Sequence, residues 1–129
     1  VVNISSISGL YGPPTQFAYA AGKSALIGMT RTFAKEWGRY RVNVNAVAFG
    51  YIETRLTQTL SDKPATIKVH DRDLKVGLDA ATTAAMESLI PLGRRGTPAE
   101  AAGAVYLFCT PESDYISGQI LVCGGGLLL

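Results

Sequence analysis

The class of fold follows from residues 1–48, which read VVNISSISGLYGPPTQFAYAAGKSALIGMTRTFAKEWGRYRVNVNAVA. Residues 1–5 are mostly apolar and β-branched, which is typical of a buried strand. Residues 42–48 form a second apolar run, and such runs suit parallel strands that are covered on both faces. Because the stretch between them is long enough for a helix, this order predicts a βαβ unit of a parallel sheet.

The connecting helix is predicted over residues 15–38, with Thr15 as a candidate N-cap and Gly38 as a candidate end. Apolar side chains recur at every fourth position, namely Phe17, Ala21, Ala25, Met29, Phe33 and Trp37. Small residues lie among them, namely Ala20, Gly22, Ser24, Ala25 and Gly28. Such a face permits close approach of another backbone, either within the chain or from a second copy of it.

The second half of the chain begins with a charged segment, residues 50–96, that shows little strand pattern. A short helix is predicted over residues 80–89. Its apolar side would consist of Ala81, Ala84, Ala85 and Leu89. A long segment without strands is often a lid or a binding loop, so we predict a substrate lid over about residues 54–92. Arg94 and Arg95 are predicted to form a solvated turn, with an acidic carrier or a phosphate as their alternative partner.

One more helix and one more strand complete the predicted fold. Thr97 is a candidate N-cap, Pro98 occupies the first helical position, and Glu100 completes a capping box. This helix is predicted to run to about residue 109, and a last strand is predicted over residues 119–123. The chain as a whole therefore predicts a single α/β layered sheet.

Length and composition limit the classes of protein that the sequence can encode. The 129 residues suffice for one domain, and a hydrophobic content of 47% can bury a core. Twelve basic against ten acidic residues, without a basic stripe, give no case for nucleic acid. No apolar run could cross a membrane and no export signal is recognisable, so we expect a cytoplasmic or organelle-matrix protein. Because the chain opens on a buried strand, we also expect further sequence upstream.

The cysteines and the histidine favour no metal centre. Cys109 and Cys123 are predicted to be buried thiols of a reducing compartment, with a disulfide or a metal site as the weaker alternative. A zinc site needs more ligands than two cysteines and the single His70 conveniently supply. His70 itself is expected to be exposed among the charges of the predicted lid.

Tyr19 and Lys23 lie four residues apart on the predicted helix and hence share one face of it. A phenol ordinarily ionises at about pH 10, and a neighbouring ammonium favours its phenolate form. Such a tyrosine can exchange a proton with a substrate oxygen near neutral pH. A hydroxyl close by, such as that of Ser6, can hold the same oxygen by a hydrogen bond. The alternative is that the tyrosine and the lysine are merely surface neighbours.

The surroundings of this pair resemble the short-chain dehydrogenase/reductase family, most closely its 3-oxoacyl-(acyl-carrier-protein) reductase branch. The motifs follow in the family's order: NISS (3–6), Gly9, YAAGKSA (19–25), RVNVNAVAFGYIET (41–54), PLGRRGTPAE (91–100) and YISGQ (115–119). The resemblance covers nearly the whole chain. It implies the C-terminal part of a Rossmann-like, doubly wound parallel sheet with helices on both faces, and an oxidoreductase that uses NAD or NADP.

The resemblance implies a role for each matching position. Ser6, thirteen residues before Tyr19, would orient and polarise the substrate oxygen, and Tyr19 would be the acid/base. Lys23 would assist the tyrosine and bind the ribose hydroxyls of the nicotinamide. The segment along the nicotinamide would comprise Asn45, Gly50, Ile52 and Thr54. As alternatives to these roles, Asn45 would be a turn former at a strand end and Thr54 an ordinary helix cap.

Two positions depart from the family's pattern. Phe49 stands where the family usually has proline, so the backbone beside the nicotinamide lacks a fixed φ angle. Cys123 stands where the family usually has aspartate, which removes a polar turn contact. The predicted lid is also longer than in compact members. A serine hydrolase is excluded in its common form, because the chain has no Gly-x-Ser-x-Gly nucleophile elbow.

The family's N-terminal half, with the glycine-rich turn that holds the cofactor diphosphate, has no counterpart in residues 1–129. We therefore expect the C-terminal half of a reductase, and the alternative function is that of a catalytically silent fragment or assembly module. The choice of NAD or NADP stays open, and so does the substrate: an acyl-carrier thioester, a steroid-like ketone and a sugar-like alcohol are candidates. Because similar members commonly form tetramers, the resemblance also implies a homo-oligomer.

Overall fold

The computed structural model describes residues 1–57, 65–77 and 79–127. The strands in these ranges are β1 (Val2–Ser6), β2 (Asn45–Phe49), β3 (Ala65–Val69), β4 (Arg72–Val76) and β5 (Ile120–Cys123). The α-helices are α1 (Ser8–Tyr11), α2 (Phe17–Trp37), α3 (Ala80–Ser88) and α4 (Pro98–Tyr106). Short 3-10 helices span Gly38–Tyr40, Leu107–Cys109 and Pro111–Ser113. Residues 58–64 and 78 of the predicted lid lie outside the described residues.

The parallel sheet has the strand order β1-β2-β5, which confirms the predicted α/β layering. Ser6 is paired with Phe49, and Phe49 with Cys123, so the carboxyl ends of all three strands meet at one edge. The central strand is fully covered, since Ala46, Val47 and Ala48 have no exposed surface. In open α/β sheets ligands bind outside the carboxyl ends of the strands, so this edge is the first place to look for a site.

Helices cover both faces of this sheet. Asn3 and Ser5 of β1 bond to α2, the first through the hydroxyl of Thr30 at 2.9 Å and the second through the carbonyl of Lys23 at 2.9 Å. Because side chains alternate along a strand, Ile4 points to the opposite face. There it borders a cleft whose other wall is α4.

Helix α2 packs on the sheet with a face other than the one that the fourfold apolar row marks. Ile27 and Thr30 are its buried residues, whereas Phe17 is 87% and Met29 44% exposed. The fourfold pattern fails for a geometric reason. Four residues turn an α-helix by about 400°, so a row at this spacing drifts about 40° at each step and leaves any one face. The inward side includes polar Thr30, whose hydroxyl oxygen accepts a hydrogen bond from the side-chain amide of Asn3.

The entry into α2 also differs from the prediction. The helix begins at Phe17, its N-cap is Gln16 without a side-chain capping bond, and Thr15 has a left-handed φ of 68°. The unpredicted helix α1 precedes this turn and packs on α2. A Cβ at Gly9 would lie 2.6 Å from the carbonyl carbon of Lys23, so only glycine permits this approach.

Contrary to the prediction, the charged segment contains strands. β3 and β4 form an antiparallel hairpin in which Ile67 pairs with Leu74 and Lys68 with Asp73. The Ile67–Leu74 pair and the Lys68–Asp73 pair therefore lie on opposite sides of the hairpin. The turn is made by His70, with a φ of 55°, and Asp71, and His70 is exposed as predicted. Because this turn lacks the glycine that marks most two-residue hairpins, the sequence carries only a weak signal for it.

Helices α3 and α4 lie where the sequence places them. Asp79 caps α3 by accepting from the backbone N–H of Thr82 at 2.8 Å, and hydrogen bonds from Thr82 hold the pKa of this carboxyl below its ordinary value. In α4 the predicted capping box is present: Thr97 Oγ1 accepts from the N–H of Glu100, and Glu100 Oε2 accepts from the N–H of Thr97. Both helices thus begin at residues that the local sequence identifies.

The inward side of α3 was predicted wrongly. Thr83 is buried and Met86 packs against a core cluster, whereas the alanines of the predicted side are exposed. The cluster consists of Ile7, Tyr51, Ile90 and Leu127. Alanine gains little from burial, so the larger Met86 and the adjoining Ile90 determine the orientation of the helix.

The prediction of two buried thiols is wrong for Cys109, which is exposed at the end of a surface 3-10 helix. Cys123 is half-buried at the end of β5, and both thiols are free. Within the described ranges, no helix combines the length and the apolar character that crossing a bilayer requires.

Candidate active site

A cleft of about 540 Å³ opens at the carboxyl edge of the sheet, between the ends of β1 and β2 and helix α4. It brings together every predicted site residue except Asn45: Ser6, Tyr19, Lys23, Gly50, Ile52 and Thr54. The opposite wall is apolar and was not predicted from the sequence. It comprises Pro98, Ala101, Ala102 and Val105 of α4. The only sequence signal for this wall is the run of small residues behind the capping box.

Tyr19 and Lys23 sit one turn apart on α2, with the lysine Nζ 5.7 Å from the centre of the tyrosine ring. Lys23 Nζ also donates to the carbonyl of Ile4 at 3.0 Å, which holds the ammonium at the edge strand. The backbone of Lys23 is fixed as well, since its carbonyl accepts from the buried hydroxyl of Ser5. Tyr19 is 52% exposed, so its phenol remains open to the cleft.

Ser6 ends β1 on the cleft side of the sheet and is 8% exposed. Its hydroxyl oxygen accepts from the backbone N–H of Ser8 at 3.2 Å. A serine hydroxyl that accepts one bond can still donate its own proton. The preceding Ser5 instead donates to α2, so the two serines have different tasks.

Asn45 lies away from this cleft, at the amino end of β2, and is 2% exposed. Its Nδ2 donates to the carbonyl of Ile116 at 2.7 Å, and its Oδ1 accepts from the N–H of Gln119 at 2.9 Å. It lies four positions before Phe49 along the strand, a distance of about 13 Å. These contacts agree with the alternative prediction for Asn45, which is that of a turn former at a strand end.

Comparison with known proteins agrees with this geometry. A family model described as enoyl-(acyl-carrier-protein) reductase matches residues 1–128. This chain belongs to the short-chain dehydrogenase/reductase family. It is 42% identical over 129 residues to the 3-oxoacyl-(acyl-carrier-protein) reductase FabG of Thermotoga maritima, covering 100% of this chain and 45% of that protein. Its identity to the FabG of Aquifex aeolicus is 38% over 127 residues, covering 98% and 44%.

Solved structures of this family are similar as well. A short chain dehydrogenase from Bacillus anthracis superposes with a TM-score of 0.77 at 32% identity, over 99% of this chain and 44% of that one. A 4-hydroxyisoleucine dehydrogenase complexed with NADH and succinate has a TM-score of 0.77 at 29% identity, over 98% and 44%. This reductase-family chain therefore spans less than half the length of the proteins that it matches.

The segment that follows β2 in this family member is tightly constrained. The N–H of Gly50 donates to the carbonyl of Cys123 at 2.9 Å, and a Cβ at residue 50 would lie 2.7 Å from the Cα of Gly124. Thr57 Oγ1 accepts from the N–H of Thr54 at 2.8 Å and donates to the carbonyl of Ile52 at 2.7 Å. Thr57 was not predicted, although it lines the cleft beside Thr54.

The two departures from the family pattern have different surroundings. Phe49 lines the cleft at the end of β2, so its ring adds to the apolar surface there. Cys123 lines a separate cavity of about 130 Å³ together with Arg94 and Glu100. Burial, and secondarily the charge of Glu100, raise the pKa of the Cys123 thiol. The thiol is therefore kept in its neutral form beside the ion pair.

Proposed function

We propose that this chain carries the proton-transfer machinery of an NAD(P)-dependent oxidoreductase that interconverts a carbonyl and an alcohol, with Tyr19 as the acid/base. The observation that supports it best is the convergence of Ser6, Tyr19 and Lys23 on one cleft. These side chains come from a strand end and from two turns of a separate helix, and they share the carboxyl edge at which such sheets bind ligands. Membership of an oxidoreductase family supports the same proposal.

In the proposed reaction, NAD(P)H would supply, when bound, the hydride that is added to the carbonyl carbon. Ser6 donates a hydrogen bond to the carbonyl oxygen and keeps it beside Tyr19. The phenol of Tyr19 gives its proton to that oxygen, and the ammonium of Lys23 stabilises the phenolate that is left. In the reverse direction the phenolate accepts the proton of the alcohol.

The residues present fit the nicotinamide end of such a cofactor. Lys23 offers ammonium protons to ribose oxygens, and Thr54 offers a hydroxyl. Gly50 allows close approach of the backbone, and Ile52 provides an apolar surface for a ring. These residues do not distinguish NAD from NADP, because they would surround the nicotinamide end, which both cofactors share.

The relatives suggest which substrate to assay first. Curated relatives that match this chain include 3-oxoacyl-(acyl-carrier-protein) reductases. In this chain the wall of α4 presents Ala101, Ala102 and Val105 to the cleft, and small apolar side chains suit an acyl chain. We therefore propose a 3-oxoacyl thioester as the substrate class.

The test is the variant Tyr19→Phe in the full-length gene product, assayed with NADH and with NADPH on a 3-oxoacyl thioester. Loss of the phenolic proton should abolish turnover, because among the described residues that line the cleft Tyr19 is the one phenol. Tyr106→Phe is the matched control, since Tyr106 is 67% exposed on α4 and does not line the cleft. Retained activity in Tyr19→Phe would refute the assignment.

A second candidate is a catalytically silent fragment or assembly module. This candidate concerns the 129-residue chain taken by itself, which matches 44–46% of the length of its curated relatives. Titration of NADH and NADPH into the purified 129-residue chain separates the two candidates. Binding with turnover supports the enzyme, whereas a chain that binds neither cofactor supports the module.

A further inference from the structure

We infer that Arg95 is a positioning residue that ties helix α3 of the lid to the wall of the cleft formed by residues 51–57. The inference deepens the proposed function and rests on it. It concerns how the nicotinamide side of the cleft is held in place, and not the proton transfer itself.

Arg95 uses three parts of its guanidinium for three different contacts. Nη1 donates to the carbonyl of Thr57 at 2.9 Å, and Nε lies 2.6 Å from Oε1 of Glu87 on α3. The guanidinium carbon lies 5.7 Å from the ring centre of Tyr51, which is itself 7% exposed. The side chain of Arg95 is only 17% exposed and that of Glu87 33%, so this pair is screened less than an ordinary surface pair.

The backbone brings Arg95 next to the segment that it contacts. The N–H of Glu53 donates to the carbonyl of Gly96 at 2.8 Å, and the N–H of Gly96 donates to the carbonyl of Tyr51 at 3.0 Å. These bonds fix residues 51–53 beside Gly96. They do not reach Thr57, whose turn is closed, among the described residues, by local bonds to Ile52 and Thr54. Arg95 adds the contact that relates this turn to α3.

The neighbouring arginine provides a contrast. Arg94 pairs with Glu100 at 2.6 Å, and the two side chains are 56% and 47% exposed. The expectation of a solvated turn is therefore correct for Arg94 and wrong for Arg95. Two adjacent residues of the same type thus differ in burial and in partners, which makes Arg94 a matched control.

The test uses Arg95→Leu, Arg95→Lys and the control Arg94→Leu in the full-length gene product. For Arg95→Leu we expect kcat/KM for the cofactor to fall about 10- to 100-fold, chiefly through KM, because a misplaced binding wall is costly. The pH profile of kcat should not move, since Tyr19 and Lys23 are untouched. Lysine should not rescue KM, because a single ammonium cannot serve both acceptors and lie over the ring. Arg94→Leu should stay within about twofold of the wild type.

Hydrogen exchange measured by mass spectrometry provides a second readout that needs no activity. In both Arg95 variants the amides of Thr54 and Thr57 should exchange about tenfold faster than in the wild type and in Arg94→Leu, whereas the amide of Glu53 stays bonded to the carbonyl of Gly96. If the wild type turns over neither NADH nor NADPH, the proposed function fails. The hydrogen-exchange comparison still tests whether Arg95 holds the turn at Thr57 beside α3. If both Arg95 variants match Arg94→Leu in exchange, the inference is overturned. Arg95→Lys preserves charge and length, so it keeps the test decisive should Arg95→Leu not fold.

Discussion

Lys23 has more contacts than a surface lysine requires. Its ammonium donates to the carbonyl of Ile4, its own carbonyl accepts from Ser5, and its backbone lies against Gly9. The first contact joins the helix to the edge strand of the sheet. The position of the ammonium relative to Tyr19 therefore depends on the sheet and not only on the helical spacing.

Replacement of Lys23 by methionine should separate charge from packing. If the ammonium stabilises the Tyr19 phenolate, Lys23→Met should shift the appearance of activity to higher pH, weaken cofactor binding, or both. The measurements are the pH dependence of kcat and the Kd of NADH and NADPH. Lys35→Met, on the exposed side of the same helix, is the control. An unchanged pH profile together with unchanged affinity would contradict the role.

Glycine substitutions should have opposite effects at a position packed against this lysine and at an exposed helical position. A Cβ at Gly9 would lie 2.6 Å from a backbone atom of Lys23, so Gly9→Ala should destabilise the fold by about 1–3 kcal/mol and displace the lysine. Gly103 of α4 has no atom within 4 Å of its added Cβ, so Gly103→Ala should stabilise that helix by about 0.5–1 kcal/mol. Urea unfolding gives both free energies, and equal effects would contradict the close packing of α1.

The carboxylate of Glu100 belongs to the capping box of helix α4, so its contribution to stability depends on pH. Hydrogen bonds from Arg94, then from Thr97, lower the pKa of Glu100 from 4.5 to about 2. Because the folded-state pKa lies below the ordinary value, ionised Glu100 stabilises the fold above about pH 4.5. That contribution is lost as the pH falls through about 2.

Glu100→Gln should therefore be less stable than the wild type at pH 7 and indistinguishable from it near pH 2. Glutamine can still accept the capping bond from Thr97, so the substitution removes the charge and little else. The free energy of unfolding across this pH range is the measurement. A difference that does not change with pH would show that the ion pair with Arg94 has no part in it.

The elements differ in how far the sequence predicts them, and the reason is the range of the interactions. The α4 capping box is closed between residues three apart, so Thr97 and Glu100 reveal it directly. The buried face of α2 depends on what the sheet offers, namely the amide of Asn3 for Thr30, and a count of apolar residues misses it. The β3–β4 hairpin turns at His70 and Asp71 without the usual glycine, and was missed for that reason.

The same distinction holds for the candidate site. Ser6, Tyr19 and Lys23 could be placed together because a strand end and the following helix return to one edge of a parallel sheet. The contact between Arg95 and Thr57 joins residues 38 apart across the lid, where no repeating geometry relates them. Asn45 matched a motif, yet it bonds to Ile116 and Gln119 at the far end of its strand.

At the level of the whole molecule, the outward face of α2 is a surface suited to a second copy of the chain. Gly22 and Gly28 have open space around them, and Phe17 and Met29 are exposed on the same helix. Small residues let two helices approach closely, and the neighbouring large apolar side chains would be buried by the contact. We therefore propose homo-oligomerisation through this face.

Ala25→Arg should disrupt such an assembly, because the exposed Ala25 lies between the two glycines and an arginine there introduces both bulk and unpaired charge. The expected result is a decrease in molar mass by sedimentation equilibrium of the full-length gene product. Ser88→Arg, at the exposed end of α3, adds the same side chain elsewhere and should leave the mass unchanged. Since Tyr19 and Lys23 lie on the same helix, a dissociated variant should also lose activity if assembly supports the site. An oligomer that survives Ala25→Arg would assign the contact to another face.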